Sequence, residues 1–301
     1  MGKRRTLARE VSATGVTLHA GVPVHMRMLP DAAGTGIRFR RIDVQDSAPI
    51  DALWSNVSET RLGTVLTGEG GVSVGVVEHL LAALAGADVD DCLIMLDGPE
   101  PPILDGDALS FLRLIDEAGV QETEASREII RVLRAVQAEA GQSRVALQPA
   151  SELQFHAEID FSSAAIGWQN FAVTFTAENF RREIAPARTF GFLHEAEQLR
   201  KAGFSRGADL TNTLVIDQDK LMNPELLRFP DEFVRHKILD AMGDMKLAGA
   251  PLLARYEGRR SSHTLNNALL RALFSDPSNY ERMIRPRETG EGDHAKHGGG
   301  G

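Results

Sequence analysis

Residues 232–244 read EFVRHKILDAMGD. On a helix, His236, Asp240 and Asp244 recur every four residues and share one face, opposite an apolar stripe of Val234, Ile238 and Met245. Imidazole and carboxylate are ligands that zinc accepts, and a hydrolytic zinc site needs three of them, an open position for water and a base to take the water's proton. His236 and Asp240 make a candidate ligand pair. His79 is a candidate third ligand, and Glu78, directly before it, a candidate general base. Spacing alone leaves two readings open for each group. The 232–244 face is also what a solvated helix shows, and Glu78 also suits the positive end of a helix dipole, beside a half-buried histidine.

Other residues offer weaker chemistry. Asp244 suits the carboxylate that orients a histidine and stabilises its protonated form, and His263, in RRSSHTLNNALL, is the candidate partner. Lys237 carries a charge that an oxyanion could use, and is equally an ordinary surface lysine. Thr189, in ARTFGF, sets a hydroxyl beside two phenylalanines, which strand packing would also explain. Arg259 and Arg260 form a basic cluster able to meet a phosphate, or two solvated arginines. The chain lacks the HExxH spacing of the common zinc proteases.

The chain that must position these groups has 301 residues, enough for two domains. Its 43% hydrophobic and 25% charged content suits packed cores. A net charge of −9 and 6% aromatic residues argue against a nucleic-acid surface. The single cysteine, Cys92, sits in the apolar run CLIML and reads as a buried hydrophobe; it excludes an internal disulfide and a cysteine zinc site. The start MGKRRTLARE has no apolar run behind its charges, and no stretch approaches the roughly 18 apolar residues of a spanning helix. The expectation is a cytoplasmic monomer without a transmembrane segment.

Strand patterns appear at GVTLHAG, VPVHMRML, GIRFRRI and TRLGTVLT, then a helix from VEHLLAALAG, the strand DDCLIML and the helix ALSFLRLIDEAG, with Asp105 or Asp107 as its cap. After the polar stretch QETEASRE, strands resume at IIRVLRAVQAE, SRVALQPA, ELQFHAEIDF and NFAVTFT. HEAEQLRKAGF is helical, TLVID extended, and the 232–244 helix, the strand PLLARYEG and the helix HTLNNALLRALFS follow. Each half places strands first and a histidine-bearing helix late, ending in Gly-Ala before a strand. This predicts an α+β fold of two similar domains, 1–124 and 125–276, each a β-sheet with helices layered on one face. A glycine-rich tail, 277–301, with His294 and His297, is expected to be disordered.

Taken together, TGVTLHAG (14–21), VVEHLLAALAG (76–86), GPEPPILDG (98–106), ARTFGF (187–192), LRFPDEFVRHKILDAMGD (227–244) and SHTLNNALL (262–270) resemble the UDP-3-O-acyl-N-acetylglucosamine deacetylases, zinc enzymes that commit Gram-negative bacteria to lipid A synthesis. The likeness runs in register from about residue 5 to 275. It implies an active site in the cleft between the two domains, one catalytic zinc ion on His79, His236 and Asp240, and Glu78 as general base. It implies that His263 is the general acid held by Asp244, and that Thr189 and Lys237 contact the substrate carbonyl or oxyanion. An insert at about 190–217 would form an apolar passage for the 3-O-acyl chain, with Phe190, Phe192, Leu210 and Val215 near it and Leu18 from the first domain. Phe161 would stack on uracil, and Arg260 would lie near the diphosphate.

The sequence departs from the family pattern at Ser262, where glycine is usual, at Asp107, where serine is common, and at Ala196 and Ala208, which leave small residues in the acyl passage. Two other functions fit the residues less fully. One is a zinc deacetylase of another N-acetyl sugar; the other is a non-catalytic regulator that binds a UDP-sugar.

Overall fold

A computed structural model of the chain describes residues 2–284. Six helices are formed: α1 (Glu78–Gly86), α2 (Leu109–Ala118), α3 (Ala177–Asn179), α4 (Leu193–Lys201), α5 (Glu232–Lys246) and α6 (His263–Phe274). The fold is α+β. A five-stranded sheet from the first half runs in the order Val11–Val16, Pro23–Pro30, Cys92–Leu96, Ile37–Arg41, Ile50–Asp51. A seven-stranded sheet from the second half centres on Leu252–Arg259, which pairs with Glu128–Val132, Ser143–Pro149 and Gln154–Asp160.

The two halves repeat one plan. In each, the strand that follows the histidine-bearing helix enters the middle of its sheet and gains a parallel neighbour: Cys92–Leu96 beside Ile37–Arg41, and Leu252–Arg259 beside Glu128–Val132. A parallel pair cannot close through a tight hairpin, so a crossover is required, and in each half a helix forms part of it. Alternation then decides which side is buried. Leu252, Ala254, Tyr256 and Gly258 point inward while Arg255 and Arg259 point out.

Helices from the two halves meet each other. α1 packs on α5, α2 lies against α1 and the strand Val11–Val16, and α6 lies on α5 and the strands Val136–Ala140 and Ser143–Pro149. α5 is therefore buried on both faces. Val234, Ile238 and Met245 are in the core, but so are His236, Asp240 and Asp244, at 2–4% exposure. A solvated polar face is excluded. The close crossing depends on Gly243: a Cβ there would stand 2.0 Å from the Glu78 carbonyl oxygen. Gly243→Ala should destabilise the protein by about 1–3 kcal/mol, as overpacking does. Alanine's better helix propensity, about 1 kcal/mol, cannot offset a clash with backbone. A fall in the urea midpoint at unchanged slope is the expected reading.

Several elements differ from the sequence expectation. The polar stretch after Gly119 is a strand, Val120–Ser126, paired antiparallel with Lys3–Leu7. Its residues are all exposed or half-buried, so no apolar alternation betrays it. IIRVLRAVQAE breaks into two strands, Glu128–Val132 and Val136–Ala140, that lie apart in the sheet. TRLGTVLT is extended only at Val65–Thr67, because residues 60–64 turn towards α1 and α6. The tail begins later than expected: Tyr280–Ile284 is a strand antiparallel to Glu128–Val132, completing the edge of the large sheet. The remainder of that tail, with His294 and His297, lies outside the described residues.

Phe190–Phe192 pairs in parallel with Leu214–Asp217, which turns back onto Lys220–Leu221, and α4 packs on both longer strands. Among the described residues, no helix is long and apolar enough to cross a membrane.

Candidate active site

The chain enters α1 through Val76, at a φ of 54°, and Glu78 and His79 occupy the first turn. α5 crosses there. The crossing brings ligand atoms of His79, His236 and Asp240 within 4.8 Å of one another, all buried. The imidazoles stand edge to face, 5.0 Å between centroids.

The hydrogen-bonding roles at this cluster conflict unless a cation is present. His236 Nδ1 lies 3.1 Å from the Ala187 carbonyl oxygen, which can only accept, so Nδ1 carries the hydrogen. Burial pushes the His236 pKa down to about 3, so the ring is neutral and Nε2 presents a lone pair. That lone pair faces Asp240 Oδ1 at 3.3 Å, one acceptor against another. His79 Nε2 lies 3.6 Å from the same oxygen, and His79 Nδ1 is buried without a hydrogen-bond partner among the described residues. Two imidazoles and a carboxylate converging on one point suit a divalent metal ion.

Beside this cluster lies a second one. Glu78 Oε2 accepts from the Thr64 backbone N–H at 3.0 Å, and Glu78 Oε1 lies 3.6 Å from His263 Nε2. His263 Nδ1 is 2.8 Å from Asp244 Oδ2. Asp244 also accepts from Asn266 Nδ2 at 2.8 Å and from the Thr64 hydroxyl at 2.6 Å. Burial acts to lower the His263 pKa, but the Asp244 and Glu78 carboxylates outweigh it and raise it to about 10. His263 is therefore an imidazolium at neutral pH. A carboxylate and an imidazolium thus face each other next to the metal-ligand cluster.

Lys237 Nζ donates to Asp240 Oδ2 at 2.7 Å and stands 5.5 Å from the Phe190 ring centroid. Burial works against its charge, and Asp240 more than restores it, so its pKa is raised. Asp240 thereby divides its oxygens: Oδ2 meets the ammonium and Oδ1 faces the histidines. Its own pKa is held well below the usual carboxylate range, burial being outweighed by the Lys237 ammonium and a hydrogen bond from His79. Thr189 is fixed by its backbone, donating to the Gly106 carbonyl and accepting from Leu214 N–H, both at 2.9 Å. Phe190 stacks edge-on against His236 and Phe233.

The aromatic residues converge: Phe161 touches both Phe190 and Phe192, at 5.8 and 5.9 Å between centroids. Val215 pairs with Gly191 between the two phenylalanines, and the Leu18 carbonyl accepts from Gly207 N–H at 3.0 Å. Leu210 is exposed. Arg260 stands apart from the cluster. Its guanidinium is bonded to Asp160, the neighbour of Phe161, and to Gln142, and it lines a cavity of about 780 Å³ with Arg144, His156 and Arg259.

Two of the departures acquire local reasons. Ser262 is extended (φ −147°) and its hydroxyl caps α6 by accepting from Leu265 N–H, so glycine is not required there. Asp107 lies one residue before the N-cap of α2, Ala108, where one oxygen accepts from Ser110 N–H in the first turn and the other binds Arg228.

Several supporting residues carry no signal in the sequence reading. Thr64 belongs to a segment read as plain strand. Asn266 lies one turn beyond His263, a spacing that could have marked it. Glu232 is wholly buried and accepts from Arg188 N–H and Nε, each at 3.0 Å, and from the backbone of Arg228 and Phe229. It fastens the segment holding Ala187 and Thr189 to the start of α5, which places the Ala187 carbonyl against His236.

A buried two-histidine, one-carboxylate cluster, flanked by a carboxylate and a carboxylate-bound imidazolium on an α+β fold, is the arrangement of a metallohydrolase. Residues 4–275 match the model of the UDP-3-O-acyl N-acetylglycosamine deacetylase family. The chain belongs to that family and is an amide hydrolase. Three similar proteins all carry the name UDP-3-O-acyl-N-acetylglucosamine deacetylase. The one from Myxococcus xanthus is 45% identical over 289 residues, 96% of this chain and 92% of its own length. The one from a Nitratiruptor species is 43% identical and covers 96% of both chains. The one from Phenylobacterium zucineum is 47% identical, covering 87% of this chain and 90% of its own.

Proposed function

We propose that this chain hydrolyses the N-acetyl group of a UDP-3-O-(3-hydroxyacyl)-N-acetylglucosamine, releasing acetate and a free 2-amine, the committed step of lipid A biosynthesis. The observation that carries this reading is the facing pair of Glu78 and His263, 3.6 Å apart beside the His79, His236 and Asp240 cluster. A zinc ion held by those three residues supplies, when bound, the Lewis acidity that polarises a carbonyl and makes water acidic near neutral pH.

Glu78 takes the proton of the attacking water, its carboxylate aimed by the Thr64 N–H. Lys237 and Thr189 face the oxyanion as charge develops on the former carbonyl oxygen. His263, kept protonated by Asp244 and Glu78, gives a proton from Nε2 to the departing nitrogen, which leaves as an amine. Phe190, Phe192, Val215, Leu210 and Leu18 line the path of the acyl chain, Phe161 stacks on uracil and Arg260 meets the diphosphate. Residues 1–124 and 125–276 act as the two domains that face each other across the cleft holding the reacting amide.

Acetate release by the purified protein tests this. Rapid release from the 3-O-acylated substrate is expected, with far slower release from the same nucleotide sugar lacking the acyl chain. Chelation should abolish the activity, and one equivalent of zinc should restore it. Equal rates with and without the acyl chain would overturn the substrate assignment.

A further inference from the structure

We propose that Thr64 is a positioning residue that sets the general base and the general acid in register with each other. The inference rests on the roles given above to Glu78 and His263.

Thr64 is buried, and each of its polar groups addresses a different member of the pair. Its backbone N–H donates to Glu78 Oε2 at 3.0 Å, and its hydroxyl donates to Asp244 Oδ1 at 2.6 Å. Asp244 in turn holds His263 Nδ1, which lies 3.4 Å from the same hydroxyl. One residue of the first half therefore fixes the base on α1 and, through Asp244 on α5, the acid on α6. Asp244 Oδ2 already serves Asn266 and His263, and Asn266 is itself held by the Tyr256 hydroxyl at 2.7 Å. Only the Thr64 hydroxyl bonds the other oxygen among the described residues, so it sets the rotation of the carboxylate.

The approach to Glu78 is prepared by Gly63. Its φ of 153° lies in the region that favours glycine, and a Cβ there would stand 2.9 Å from Glu78 Oε1. The same segment bonds the start of α6 a second time, Thr60 Oγ1 to Thr264 Oγ1 at 2.8 Å. The turn is thus anchored to both helices that carry the acid and the base.

Thr64→Val keeps the shape and the N–H to Glu78 and removes only the hydroxyl. The expected result is a kcat lower by about 10- to 100-fold, the scale on which small misplacements act, with KM and zinc content unchanged. Thr64→Ser should return the rate close to that of the unmodified enzyme, and the downfield proton resonance of His263 Nδ1 should weaken in the valine variant only. Glu78→Gln is measured alongside. If Glu78→Gln keeps its rate, the reading of the base fails and this inference with it. If Glu78→Gln loses activity while Thr64→Val keeps its rate, the inference alone is overturned. Equal losses in the valine and serine variants, or a raised KM at unchanged kcat, would also overturn it.

Discussion

With Glu78 as the proposed general base, Glu78→Gln is expected to lower kcat by about 10²- to 10⁴-fold, the range that a positioned general base contributes, and to leave KM and bound metal near their original values. The substitution isolates proton transfer because the amide is nearly isosteric with the carboxylate. Its oxygen can still accept from Thr64 N–H, so the side chain keeps its place over the turn at Gly63. None of the three converging ligand atoms belongs to Glu78, so the metal cluster stays intact. An amide cannot take the water's proton, and that loss should fall on the chemical step. Steady-state kinetics with metal analysis on the same sample makes the comparison. A variant that lost zinc together with activity would place Glu78 in metal binding instead.

The candidate ligand pair was legible because helical spacing is local. His236 and Asp240 are one turn apart, and neighbours on a helix surface remain neighbours in any fold that keeps the helix. What spacing could not settle was which way that surface faced. Polar residues every fourth position suit water as well as a site, and only the packing of α1 across Gly243 shows that both faces of α5 are buried. His263 was legible both as a helix-start residue and as the candidate partner of Asp244, and the two meet at 2.8 Å although they lie on different helices.

The less legible parts share one physical cause: they work through backbone or through residues far apart in sequence. The Ala187 carbonyl fixes the tautomer of His236 although alanine advertises nothing. Glu232 serves Arg188 from 44 residues away, and Thr64 serves Asp244 from 180. The ribbon of Lys3–Leu7 with Val120–Ser126 escaped for another reason. No residue of Val120–Ser126 is in the core, so the period-two signal that marks half-buried strands is missing. Strands with a clear core face, such as Leu252–Arg259, were placed almost to the residue.

Asp244→Asn is expected to cost about 10²- to 10⁴-fold in kcat, since the corresponding carboxylate-to-amide change in a serine protease triad costs about 10⁴. All three partners of Asp244 are donors: Thr64 hydroxyl, Asn266 Nδ2 and His263 Nδ1. Only the hydroxyl can turn round and accept, so the new amide directs its NH₂ at Thr64 and its oxygen at the other two. The geometry survives and the charge is lost. His263 then keeps its burial, which lowers its pKa, but loses the largest of the carboxylate contributions that raise it to about 10. In the proposed mechanism the acid form of His263 is the proton donor, so activity is expected to fall as pH rises through its pKa. A lower pKa brings that fall to lower pH, by about 1–3 units for a neighbouring charge removed. Stability moves in the same direction. A histidine whose folded pKa is raised contributes stability that is complete below its ordinary value of 6.5 and is lost as pH rises towards about 10. Unfolding by urea at pH 6 and pH 9 should therefore show a larger decline for the unmodified protein than for Asp244→Asn. An alkaline limb that stayed in place in the variant would mean that some group other than His263 loses the essential proton.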